Sequence, residues 1–159
     1  MRVGITGHQE RPGIDWKWSA EALHNVLISL LGPLEGYCSL AIGADQLFAQ
    51  IVLDLGGALV AVIPSPNYER FFHGQGLQRY QTLRRAAKVI ELPGKSCSSQ
   101  AFFAAGKFVV DRTELLLALW DGQEAHGLGG TGDIVEYARC LKRRILHFNP
   151  ITLKVIELD

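Results

Sequence analysis

Cysteine is scarce in this chain, and the three present, Cys38, Cys97 and Cys140, show neither CxxC nor Cys/His spacing. An odd number of widely separated thiols excludes the disulfide framework on which small secreted domains rely, and points to reduced cysteines in a cytoplasmic protein. Neither sign of charge is in excess: sixteen basic and sixteen acidic residues give a formal net charge of zero. The whole-molecule field therefore offers no attraction to a nucleic-acid polymer or to an anionic membrane. No apolar run approaches the ~18 residues that a membrane span needs, and the first residues lack the basic, apolar and small-residue succession of a signal peptide. The five histidines, His8, His24, His73, His126 and His147, are scattered without an acid or cysteine at ligand spacing. No metal is expected on that ground, and no cofactor is expected. There is no GxSxG elbow for a serine nucleophile, no internal repeat and no low-complexity linker.

What is present is apolar material for one core. At 159 residues and 48% hydrophobic, the chain is read as a single domain over residues 1–159. Short β-branched or leucine-rich runs alternate with amphipathic stretches, and glycine or proline punctuates nearly every junction. Strands are expected at Arg2–Thr6, Ser39–Ile42, Ala58–Ile63, Lys88–Leu92, Leu115–Trp120 and Ile145–Phe148, with a short one at Leu153–Ile156. Helices are expected at Trp16–Leu31 behind an Asp15 N-cap, from Ala44 to Leu55 with Ala44, Leu47, Ile51 and Leu55 inward, at Leu77–Ala87, at Gln100–Arg112, and at Gly130–Lys142 with Ile134, Ala138 and Leu141 inward. Such a string builds an α/β fold with an open, doubly wound, mostly parallel sheet and helices on both faces. Ligands bind these sheets beyond the carboxyl ends of the strands. Four loops there carry unusual residues: Gly7-His8-Gln9, Gly43-Ala44-Asp45-Gln46, Pro64 to Arg70, and Asp121 to Asp133.

The last of these loops is the most informative. It joins an apolar run to a helix and contains Gly127, Gly129, Gly130 and Gly132. Helix-initial N–H groups without partners, together with the positive end of the helix dipole, favour an anion there. Glycines also let a phosphate approach the backbone. Gly127 to Gly132 formally matches GxGxxG, but the pattern follows the fifth strand rather than the first, which excludes a nicotinamide or flavin fingerprint. Pro93-Gly94-Lys95-Ser96 lacks the earlier glycine of a P-loop, since Val89 stands in its place; Ser96, Ser98 and Ser99 read better as helix caps. Asp45 either caps backbone amides or accepts a hydrogen bond from a sugar hydroxyl. Glu136, one turn into the last helix, is a candidate acid, base or ribose ligand, or else half of a surface pair with Arg139. Arg70, Arg79, Lys107 and Arg112 are candidate phosphate partners, and His8 and His126 candidate hydrogen-bonding groups.

Gly4-Ile5-Thr6-Gly7-His8, Ile42-Gly43-Ala44-Asp45 and the run from Phe108 to Gly122, FVVDRTELLLALWDG, together resemble the SLOG superfamily of Rossmann-like proteins. That superfamily includes the Lonely-guy phosphoribohydrolases, the Smf DNA-processing proteins and the molybdenum-cofactor carriers, and the likeness is strongest to small stand-alone SLOG proteins. The resemblance implies a nucleotide or nucleotide-derived ligand and a homodimer. The phosphoribohydrolase pattern GGxGTxxE is matched in part by Gly129-Gly130-Thr131-Gly132-Asp133-Ile134-Val135-Glu136. Asp133 replaces the family threonine, and Ala105 stands where the family has an arginine, with Lys107 nearby. The resemblance thus implies phosphate on Gly7, His8, Gly43, Ala44, Gly129, Gly130, Thr131, Gly132, Asp133 and Lys107, and Tyr68, Trp120 and Asp121 toward the base and sugar. Glu136 and Asp45 would be the catalytic acids of an N-glycosidic cleavage of a nucleoside 5′-monophosphate. A sensor or carrier that binds a nucleotide or pterin cofactor without turning it over is the alternative.

Overall fold

The computed structural model describes residues 1–124 and 128–159; His126 and Gly127, both assigned to the glycine loop above, lie outside the described residues. Among the described residues seven strands form one sheet: β1 (Arg2–Gly7), β2 (Glu35–Cys38), β3 (Ala58–Ile63), β4 (Lys88–Glu91), β5 (Leu115–Leu119), β6 (Arg144–Asn149) and β7 (Lys154–Leu158). Their order is β4-β3-β2-β1-β5-β6-β7. The first six are parallel and β7 returns antiparallel on β6. The chain winds outward from β1 in one direction through β2 to β4, then crosses back to β5. The carboxyl ends of β1 and β5 therefore flank the switch point, where the flanking crossovers leave a crevice.

Among the described residues five α-helices cover the sheet: α1 (Trp16–Ser29), α2 (Ala44–Asp54), α3 (Gly74–Ala86), α4 (Ser99–Arg112) and α5 (Thr131–Cys140). Leu23, Leu27, Phe48, Val52, Tyr80 and Leu83 of α1 to α3 share one core with Val3, Ile5, Leu117 and Leu119 of the sheet. Ala105, Val109, Val110, Ile134 and Ala138 of α4 and α5 cover the opposite face over Val60, Val62, Leu116 and Ala118. Alternate residues along each central strand thus feed two cores. This is why β3 and β5 read as unbroken apolar runs.

The α/β class, the single doubly wound sheet and most element positions are as the sequence indicates. The Asp15 cap is present, its carboxylate accepting from Trp18 N at 2.9 Å, and Ser98 caps α4 by accepting from Ala101 N at 3.2 Å. Three local expectations are corrected. The second strand runs over Glu35–Cys38, not Ser39–Ile42: Leu40 sits at φ 58, and the Asp45 carboxylate takes the Ser39 and Ala41 amides, so this stretch is a folded loop unable to extend a ladder. The buried stripe of α2 is rotated onto Phe48, Ala49 and Val52 beside Ala44 and Ile51, leaving Leu47 and Leu55 only half-buried. Leu141 lies past the end of α5 and is exposed.

Gly43 at φ +93 starts α2 against the loop after β1, and a Cβ there would meet His8 O at 2.6 Å and Gln9 Cα at 2.9 Å. Both the conformation and the contact demand glycine. Gly43→Ala is expected to lower stability by about 1–3 kcal/mol, read as a fall in the urea midpoint at constant slope; an unchanged midpoint would show that the two loops are not clasped.

Candidate functional site

Above the carboxyl ends of β1 and β5 lies a cavity of about 650 Å³, to which the loops after β1, β2, β3 and β5 all contribute. The convergence of these four loops is a consequence of the strand order, because all leave the sheet on the same edge around the switch point. On the β1 side stand Thr6, Gly7, His8, Gln9 and Arg11; on the β5 side Trp120, Asp121, Gln123 and Glu124; and at the start of α5 Gly129 to Gly132. Asp45, Tyr68, Phe71, Phe72 and Phe102 complete the wall.

The charged centre of this cavity is Asp121. Its Oδ2 accepts from Arg11 Nη1 at 2.7 Å, its Oδ1 accepts from the Gln123 amide at 3.0 Å in an Asx-type turn, and Oδ1 lies 3.1 Å from His8 Nε2. Burial alone would raise the pKa of Asp121, but the Gln123 amide, His8 in its protonated form and Arg11 outweigh it, so the carboxyl lies below its ordinary range. Asp121 is thus a carboxylate near neutral pH. The Asp121 amide donates to His8 Nε2 at 3.2 Å, which gives that nitrogen the lone pair and places the ring proton on Nδ1. Burial lowers the pKa of His8, against the upward pull of Asp121, consistent with a neutral ring. Protonation would convert Nε2 into a donor to the adjacent carboxylate.

Arg11 is the cation that sequence reasoning missed. Its side chain is 41% exposed, and among the described residues only Nη1 is engaged, leaving the rest of the guanidinium fork free to meet an anion. Nothing in its local sequence marks it apart from its place in the loop after the first strand. The expected cation, Lys107, lies outside the cavity lining, with Nζ 5.0 Å from the Tyr137 ring centre and 5.4 Å from that of Phe103. Arg70, Arg79 and Arg112 also lie outside it.

The glycine loop reaches the cavity, but it is not an empty cradle. Asp133 bends back so that its Oδ2 accepts the Gly129 amide at 2.9 Å, a capping interaction from the third helical position. Gly129 holds φ +89 against the backbone of Ser99 and Phe103. Gly130, Thr131 and Gly132 line the cavity at the helix start, whereas Asp133 is committed to its own loop. Glu136 faces away: its side chain is 69% exposed beside Arg139 at 4.0 Å, as the surface-pair reading has it. Gly43 and Ala44 serve the scaffold, with the Ala44 amide donating to His8 O at 3.1 Å and the Ala44 side chain fully buried against Gly7.

Asp45 is 8% exposed and lines the cavity. It caps not its own helix but the preceding loop: Oδ2 accepts from Ser39 N at 2.9 Å and Ala41 N at 3.4 Å. Burial raises its pKa to about 6, against those two bonds. Tyr68, 5% exposed, stands edge-on to Phe72, Tyr80 and Phe102, and burial pushes its hydroxyl pKa well up. Trp120 spends its indole N–H on Gln123 O at 2.8 Å, while His147 Nε2 donates to Trp120 O at 2.7 Å; both interactions fix the β5 loop. Among the described residues no three His, Cys, Asp or Glu side chains gather as a metal site, the cysteines are free thiols, and no helix is long and apolar enough to cross a membrane.

No family model and no curated protein matches the sequence. Solved structures do match the fold. DNA processing protein A of Streptococcus pneumoniae superposes with a TM-score of 0.70 at 18% identity, over 92% of this chain and 49% of its own. DNA processing protein A of Helicobacter pylori, described by its mode of binding single-stranded DNA, gives 0.64 at 12% identity over 92% and 64% of the two chains. The structural-genomics target TM1055 gives 0.55 at 12% identity over 91% and 71%. The chain therefore spans about half the length of the pneumococcal protein it matches. The Rossmann-like, doubly wound architecture that the resemblance implies is the architecture found, and these solved structures share it.

Asp45 supplies a stability test. A folded-state pKa near 6 against an ordinary 3.8 means that the folded chain holds the proton more tightly, so stability is greatest below the unfolded value and declines as pH rises through 6. Asp45→Asn keeps an oxygen for the Ser39 and Ala41 amides and removes this penalty. The variant should gain stability relative to the parent by about 1–3 kcal/mol between pH 4 and pH 8, measured by urea denaturation at both pH values; a gain independent of pH would contradict it.

Proposed function

We propose that this chain binds a nucleoside 5′-monophosphate, or a small molecule derived from one, in the cavity above β1 and β5. The observation that carries the reading is that one cavity unites a guanidinium with free donors, Arg11, the glycine-lined start of α5 and an aromatic wall of Tyr68, Phe71 and Phe102. A phosphate fits the first two, because the helix start supplies amides and Arg11 supplies charge. A base fits the third, since ring faces stack on any heterocycle. Cleavage of the N-glycosidic bond is the weaker version: Glu136, the acid its family pattern would use, is turned to solvent. Binding without turnover, as in a sensor or carrier, is favoured by that exposure and by the commitment of Asp133 to Gly129.

Calorimetry and thermal shift with the four nucleoside 5′-monophosphates test this, since a ligand confined to the native state raises the melting temperature by mass action. Arg11→Ala should weaken the affinity about 10- to 100-fold, Glu136→Gln should leave it unchanged, and no free base should accumulate. Binding only of a single-stranded oligonucleotide, or of no nucleotide at all, would overturn the assignment; release of base lost in Glu136→Gln would reinstate the hydrolase.

A further inference from the structure

Two polar side chains at the deep end of the cavity are more than nine-tenths buried and yet incompletely bonded. Asp45 uses only Oδ2 for the Ser39 and Ala41 amides; among the described residues Oδ1 has no hydrogen-bond partner. Tyr68, 5% exposed in its aromatic cluster, likewise makes no hydrogen bond through its hydroxyl among the described residues. Neither oxygen is sealed in the core: the one fully occluded, unpartnered side-chain polar atom among the described residues is Arg143 Nε. Both residues line the same cavity, so their free oxygens meet its space. The charge of Asp45 also acts on the Tyr68 hydroxyl, second to burial, as nearness requires.

An unpaired buried carboxylate oxygen beside an unpaired phenol is expensive unless something completes it. The missing partner must donate to Asp45 Oδ1 and exchange a hydrogen bond with the Tyr68 hydroxyl. A guanine edge is a poor fit, because its adjacent N–H groups call for both oxygens of a carboxylate and Oδ2 is already spent. Two neighbouring hydroxyls fit: one donates to Oδ1 while the other accepts from or donates to Tyr68. The recess lies on the β2 side of β1, and α5 starts beyond β5 on its other side. Adjacent strands are about 4.8 Å apart, so the two ends of the cavity are separated by a span comparable with that between a 5′-phosphate and the far edge of its sugar.

We infer that Asp45 and Tyr68 form a diol-reading recess and that the ligand of this cavity is a ribonucleotide, the 2′-deoxy form being rejected. This rests on the nucleotide reading above and names the sugar. A site built to bond a hydroxyl discriminates strongly against the analogue lacking it, because the protein's own buried groups are then left unpaired. The recess accordingly separates ribose from deoxyribose ligands irrespective of the base.

The test compares the four ribonucleoside 5′-monophosphates with their 2′-deoxy counterparts by titration calorimetry on the whole chain. The ribose forms should bind at least tenfold more tightly. Tyr68→Phe, which keeps the ring in its cluster, should reduce ribonucleotide affinity and narrow the gap. Asp45→Asn, which retains an acceptor for the loop amides, should narrow it too; circular dichroism and the melting temperature establish that each variant is folded. Equal affinity for the two sugars, or a gap unmoved in folded Tyr68→Phe, overturns the diol recess with nucleotide binding intact. Absence of binding by either sugar form overturns the nucleotide reading and the recess with it.

Discussion

His8 is the residue through which the site is held together. Its amide donates to Leu119 O at 3.0 Å, tying the end of β1 to β5, and its carbonyl accepts the Ala44 amide at 3.1 Å, tying the same point to the start of α2. Its ring accepts the Asp121 amide at 3.2 Å. Three loops that are distant in sequence are thereby registered on one residue. The conditions for this are steric as well as polar: Gly7 lies against the Ala44 side chain, and Gly43 against the His8 carbonyl, each too close for a Cβ. A chain that satisfies so many backbone groups at a strand tip fixes the shape of the crevice before any ligand arrives, which lowers the ordering cost of binding.

The charge inside that crevice is arranged in opposition rather than in excess. Asp121 is only 7% exposed in its side chain, and Arg11 answers it at 2.7 Å, so the pair adds nothing to a chain whose total is already zero. A buried carboxylate without such a partner would be neutralised. The pairing leaves the polar cluster with little net attraction for long-range partners but strong directional donors at close range, since the unengaged part of the guanidinium fork remains presented. Under the proposed nucleotide reading, such a site would act on a localised anion at close range through those donors rather than through a long-range field.

The sequence made the layers legible because burial on two faces writes itself as uninterrupted apolar runs: Ala58–Ile63 and Leu115–Leu119 were delimited within a residue. The second strand was displaced because the apolar Leu40-Ala41-Ile42 segment resembles a strand locally, and only the long-range reach of the Asp45 carboxylate back to Ser39 and Ala41 makes it a loop. The convergence of the four loops followed from topology and was readable. The direction of individual side chains was not. Arg11 lies in an irregular loop without periodicity, Lys107 rests over aromatic rings across the α4 and α5 boundary, and neither fact has a local signature. The reading of Asp45 as either cap or ligand group was undecidable from residue type because its two oxygens differ in circumstance.

The partial match to GGxGTxxE is explained by the phase of α5. Ile134 projects into the cavity and packs in the core beside Val110 and Leu116, and each residue of an α-helix advances by about 100°. Glu136, two residues on, is therefore carried about 200° around the axis, onto the outer face where it is found. Asp133 fixes this phase from the other end, because its bond to the Gly129 amide anchors the first turn to the loop, as the well-packed Ile134 and Ala138 do from beneath. Turning Glu136 inward would require breaking that cap and withdrawing Ile134 from the core at once. The motif thus separates into two physical parts: a glycine loop that shapes one end of the cavity, and an acid whose spacing alone does not bring it to that cavity.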